Sequence, residues 1–252
     1  MSQFFSSYDL STLDWVLFFA CGLLVGVSKM GIAGMGLVVI PTLALVFGGK
    51  DSTGILLPVL VFADIIAVRY YNRHANWQFL WKLLPWTVAG VLLGLYVGDQ
   101  IPDAQFKKVL SVLVLISIVL MLWQNARKGK ITVPDYWWLA GLTGLAGGFA
   151  TMVGNAAGPL MAIYLLAMRL PKNEFIGTGA WFFLIINIFK IPLHVIFWGT
   201  ITKETFLLDL TLLPVIFIGA ILGLFVVRKI PEKAYRIFIV ITTIVSALAL
   251  FF

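Results

Sequence analysis

The sequence predicts an all-α membrane protein, a polytopic helical bundle built of two inverted repeats, each a broken or re-entrant helical hairpin followed by three transmembrane helices. Three observations carry this expectation. Of the 252 residues, 61% are hydrophobic and 12% charged, with mean hydropathy +1.03, which is more apolar side chain than one water-soluble core can bury. The uncharged stretches repeatedly approach the roughly 20 residues a helical span needs. They are continuously apolar, as in Val109 to Trp123 and Leu210 to Val227, and lack the alternation of barrel strands. Third, the chain contains its own pattern twice.

The repeat is legible residue by residue. Leu83-Leu84-Pro85 with Gly90, Gly94-Leu95, Val97 and Ile101-Pro102 returns 129 positions later as Leu212-Leu213-Pro214 with Gly219, Gly223-Leu224, Val226 and Ile230-Pro231. Upstream the offset is 122, carrying Gly22, Gly26, Gly36 and Lys50 onto Gly144, Gly148, Gly158 and Lys172. The halves meet near Lys130, giving repeats 1–130 and 131–252 within a single integral membrane domain.

In chain order, Met1 to Asp14 holds two acids and no Lys or Arg, so it lacks the basic region of a cleaved signal peptide, and the first apolar stretch is expected to remain. The first hairpin, 13–47, consists of Leu13 to Val27 and Leu37 to Phe47 around a break at Ser28 to Gly36. At 1.5 Å per residue these arms are about 22 and 17 Å long, each short of the roughly 30 Å hydrocarbon core. Spans are expected at 52–68, 83–98 and 106–123. The second half matches, with hairpin 137–168 broken at Met152 to Gly158, and spans at 175–198, 206–227 and 235–252. Asp51, Asp103, Glu174, Glu204 and Glu232 sit where a span starts and an acid faces the positive helix end, a structural role. Cys21 lies in an apolar run as a small core side chain.

Each broken stretch is either one full crossing or a hairpin that leaves by the face it entered. With hairpins, Arg69, Arg73, Lys82, the Arg127–Lys130 cluster, Arg169, Lys172 and the Arg228–Arg236 cluster share one face, twelve cations against Lys50, Lys107, Lys108 and Lys203 on the other. With crossings, the split is nine against seven. The positive-inside rule favours the hairpins, with both termini outside. The same rule accounts for the net charge of +7 without any nucleic-acid partner.

Backbone interrupted at membrane depth must be packed in protein or line a wet cavity, so the two breaks are the candidate site. The half-helix N-termini at Gly36 and Gly158 present free N–H groups to an anion, and Gly31, Gly34 and Gly154 allow close backbone approach. Lys29 is an ionisable group at depth, which either caps the preceding half-helix or meets an anionic substrate. Ser28, Thr151 and Asn155 are neutral donors beside it. Asn187, Lys190 and His194 share one helical face beside Pro192, with Lys190 a second anion anchor or a snorkelling cation. Asp64 and His194 are candidates for proton coupling, although Asp64 also stands five residues from Arg69 as a structural pair. No nucleophile triad, Walker loop or metal-ligand spacing is present, so no enzyme activity, metal or cofactor is implied.

With Gly31-x-x-Gly34-x-Gly36 and Pro41 in one half and Gly154-x-x-x-Gly158-Pro159 in the other, the chain resembles the TauE/SafE family of sulfite and organosulfonate exporters from about Trp15 to Ser246. The resemblance implies a secondary transporter passing a small sulfur anion such as sulfite or sulfoacetate, with binding at the matching break residues. Ala156-Ala157 stand where the family has further glycines, which bears on pocket size. An anion channel and a non-transporting membrane scaffold are the alternatives. Oligomeric state, a homodimer included, is left open.

Overall fold

The computed structural model describes residues 10–32, 36–102, 105–106, 108–109, 112, 137–229, 231 and 234. Among them the fold is entirely helical: α1 (Thr12–Lys29), α2 (Gly36–Phe47), α3 (Gly49–Tyr71), α4 (Trp77–Gln100), α5 (Trp137–Gly154), α6 (Gly158–Ala167), α7 (Lys172–Leu193), α8 (Lys203–Leu210) and α9 (Leu213–Lys229). A 3₁₀ turn, Asn72–His74, follows α3, and a π-type turn, His194–Trp198, continues α7. The expected span 235–252 and Gly34 lie outside the described residues, as does most of 106–123.

Four helical segments (α1, α3, α4, and α7 with its π turn) are long and apolar enough to cross a membrane, and the bent pair α8–α9 makes a fifth. Their outer faces carry Trp81, Tyr96, Phe217 and Phe225, each more than half exposed, as surfaces meeting lipid do. Cys21 is buried. Helix starts follow the expected chemistry. Ser11 and Asp14 form a reciprocal capping box on α1, and Asp51, Glu174 and Glu204 occupy the first turns of α3, α7 and α8.

The expected boundaries need three corrections. Backbone hydrogen bonding continues past the last apolar side chain, so α3, α4 and α7 start at Gly49, Trp77 and Lys172, before the expected 52, 83 and 175. For the same reason α1 runs through Ser28 and Lys29, and α5 through Gly154. Each therefore has 18 residues, about 27 Å, close to a full span, and only the short arms α2 and α6 fall well short. The first break begins at Met30 rather than Ser28, and the second shrinks to residues 155–157.

Third, the expected span 206–227 is not one rod. It bends by 48° between α8 and α9. Pro214 has no N–H to donate to Leu210, and the Thr211 hydroxyl bonds the Leu208 carbonyl at 2.6 Å while the Thr211 and Leu212 amides turn back to Leu208 and Asp209. Pro85, its counterpart in the first half, stays inside the unbroken α4.

Packing pairs each broken helix with the Leu-Leu-Pro helix of the other half. Helix α1 lies on α9, and α5 on α4. A Cβ at Gly26 would overlap the backbone at Ile216, and one at Gly148 would overlap Thr87. Gly219 and Gly90 likewise press on the backbones of Leu23 and Leu145, and Gly223 and Gly94 on Met30 and Met152. These three glycine contacts in the first pair recur in the second at the offsets of 122 and 129 read from the sequence. These glycines bring helix backbones together. Gly36 and Gly158 differ: only the Ser28 side chain approaches the first, and nothing lies within 4 Å of the second.

Candidate functional site

The α1–α2 break turns at Gly31, whose φ of 112° only glycine adopts without strain. The α5–α6 break turns at Asn155, with φ 53°, a left-handed position asparagine tolerates, and its amide donates back to the Thr151 carbonyl at 3.0 Å. Asparagine here supplies what glycine would not. Its Nδ2 donates to the Thr53 carbonyl at 3.1 Å, and its Oδ1 accepts from Lys190 Nζ at 2.6 Å. The second break is thereby tied to α3 and α7 by one side chain.

Between the breaks lies a cavity of about 130 Å³, roughly ten times what one water requires. Ser28, Lys29, Gly31, Gly36, Thr151, Asn155, Gly158 and Asn187, all expected at the site, line it with apolar walls from Val25, Ile40, Leu60 and Phe183. Of the remaining expected residues, Gly154 ends α5 outside the lining, while Lys190, Asp64 and His194 lie behind it.

Charge is gathered there and almost wholly removed from solvent. Lys29 Nζ is 2.7 Å from Asp64 Oδ1 and 4.3 Å from the Phe183 ring centroid, a cation–π contact. It neither folds back over the carbonyl end of α1 nor waits unpartnered for an anion. Asp64 does not pair with Arg69: five residues apart on a helix, the two project about 140° from each other. Asp64 is fully buried and also accepts from Asn187 Nδ2 at 2.7 Å.

Lys190 is fully buried rather than snorkelling, and its ammonium reaches Asn155 Oδ1 (2.6 Å), Thr151 Oγ1 (3.2 Å) and Asn187 Oδ1 (3.4 Å). His194, one turn on, is buried as well, with Nδ1 2.9 Å from Thr200 Oγ1 and its ring edge-on to Trp198 at 4.9 Å, which holds it away from the surface.

Lys29 and Thr151, at the ends of α1 and α5, stand 122 apart, the upstream repeat offset, and Asp64 on α3 and Asn187 on α7 hydrogen-bond to each other across the halves. The first half supplies Lys29 with Asp64. The second supplies neutral Thr151 with Asn187 and brings its cation, Lys190, from one helical turn away. Phe183 and the Thr53 carbonyl were not anticipated. Phe183 lay within reach of the sequence, four residues before Asn187 on the face that carries Lys190.

The fold and cavity define a multi-span helical membrane protein with a charged central chamber enclosed by two backbone breaks, the architecture of a membrane transporter. The chain belongs to the sulfite exporter TauE/SafE family, whose family model matches residues 18–250. It is 30% identical over 183 residues, 71% of this chain and 73% of the relative, to the probable inner membrane transporter protein TsaS of Comamonas testosteroni. No solved structure matches it.

Proposed function

We propose that the protein is a secondary transporter moving a small sulfur-containing anion, such as sulfite, sulfoacetate or another organosulfonate, across the cytoplasmic membrane by alternating access. The observation that carries this reading is the convergence of both breaks on one cavity with a largely shielded lysine, Lys29, at its wall. The family description and the relative's name support transport and a sulfur oxyanion.

In this reading, Ser28, Thr151 and Asn155 orient the anion beside Lys29, while Gly31, Gly36 and Gly158 let its oxygens reach backbone N–H groups at the starts of α2 and α6. Two rigid pairs, α1 with α9 and α5 with α4, rock about the cavity, each locked by glycine-mediated backbone contact. Two inverted halves would make the inward and outward states mirror one another. Both termini then lie outside and the basic clusters inside.

Thermal unfolding of the purified protein against sulfite, sulfate, thiosulfate, sulfoacetate and taurine tests the proposal. A ligand at 100 times its Kd adds about 2.7 kcal/mol of stability, so at least one sulfur anion raises the midpoint, and Lys29→Gln lowers that rise. No shift with any of them rejects the reading.

A further inference from the structure

Building on that reading, we infer that Asp64 is an internal stand-in for the transported anion: its carboxylate holds Lys29 until an anion takes Lys29 in its place, Asp64 then takes up a proton, and anion and proton cross together.

The geometry sets up a direct competition. The lysine that lines the cavity is already bound by a carboxylate oxygen at 2.7 Å. An anion entering the cavity meets a cation whose charge is spoken for, and displacing Asp64 strands a carboxylate with no exposure to water. A buried carboxylate deprived of its cation does not stay ionised at tolerable cost. The neutral acid keeps the Asn187 Nδ2 donor, which a carboxyl carbonyl oxygen accepts as well as a carboxylate does.

The surroundings leave few other ways to balance the charge. Among the described residues, Lys29 on α1 pairs with Asp64 directly, and Lys190 on α7 stands across Asn187, whose amide bonds both. Lys190 is held by Asn155, Thr151 and Asn187, and His194 lies beyond it against Thr200. Helices α2 and α5 carry no ionisable side chain. Helix α8 brings Asp209, which no described hydrogen bond or ion pair joins to Asp64, and α9 brings Arg228, engaged with Tyr70 near the end of α3. With Asp64 ionised, the cluster of Lys29, Lys190 and Asp64 has a formal charge of +1. One bound monoanion plus one proton on Asp64 restores that +1, whereas the anion alone leaves a bare carboxylate beside it.

Calorimetry of the full-length protein with methanesulfonate, which keeps its single charge across the working pH range, tests the inference. Titration in two buffers of different ionisation enthalpy gives proton uptake directly. The expected result for the wild type is about one proton taken up per anion, and an affinity that weakens tenfold per pH unit over the range where Asp64 exchanges its proton. Asp64→Asn keeps the hydrogen-bonding shape and removes the competitor, so it binds methanesulfonate more tightly, with no proton uptake and no pH dependence. Binding by the wild type without proton uptake overturns the inference while leaving the transporter reading intact, and needs no variant to fold. Equal proton uptake by Asp64→Asn overturns it as well. Absence of binding by both proteins rejects the anion-site reading on which it rests.

Discussion

Gly148→Ala should loosen the α4–α5 pair. The added methyl would lie 2.9 Å from the Thr87 carbonyl carbon and the Val91 nitrogen and overlap the Thr87 carbonyl oxygen, all backbone atoms that cannot rotate away. Ordinary contact begins near 3.4 Å, and the carbonyl oxygen is the closest atom, so the helices must part by about 1 Å or more along their shared face. Overpacking of this kind costs roughly 1–3 kcal/mol, and the rigid backbone puts this site at the upper end. The better helix propensity of alanine returns about 1 kcal/mol, leaving a net loss near 2 kcal/mol. Gly26→Ala, which meets the Ile216–Ala220 backbone in the equivalent place, should lose a similar amount. Gly158→Ala, with nothing within 4 Å, should stay within about 0.5 kcal/mol of the wild type. Chemical denaturation of the three variants in one detergent gives the comparison. If Gly148→Ala is as stable as the parent, or Gly158→Ala falls as far, the division between packing glycines and cavity glycines is wrong.

Other outcomes follow from the same contacts. Lys29→Ala strands the buried Asp64 carboxylate and should cost about 3–5 kcal/mol of stability. The double variant Lys29→Ala with Asp64→Asn should recover much of that loss, and denaturation of both single variants and the double measures the coupling. Lys190→Met leaves Asn155 Oδ1 and Thr151 Oγ1 without their donor, so stability should drop by about 1–3 kcal/mol and methanesulfonate affinity should fall in the same preparation. Asn155→Gly keeps the left-handed turn but severs the link to Thr53 and Lys190, so it should impair anion binding more than folding.

Much of this arrangement was legible because periodic backbone and repeated sequence leave marks in one dimension. The offsets of 122 and 129 anticipated which glycines would be equivalent, and eight of the expected site residues line a single cavity. What escaped was pairing across the fold. Lys29 and Asp64 are 35 positions apart, and Asp64 and Asn187 are 123 apart, so no local spacing links them, whereas Arg69 looked close only in sequence. Helix ends were misplaced because Ser28 and Lys29 interrupt hydrophobicity without interrupting hydrogen bonding. The bend before α9 lay hidden in an apolar run. Identical Leu-Leu-Pro segments behave differently, with Thr211 bonding its own backbone where the first half has Lys82.

The central claim is that a sulfur anion binds in the cavity between the two breaks and is carried through it. Counterflow of labelled sulfite in proteoliposomes tests this most directly when the wild type is compared with Gly158→Phe, whose ring would fill the open space beside Asn155 and Ser28. The expected result is saturable counterflow for the wild type and none for a Gly158→Phe protein that is incorporated and folded. Undiminished counterflow through the filled cavity would contradict the account, as would a sulfite flux that rises linearly with concentration.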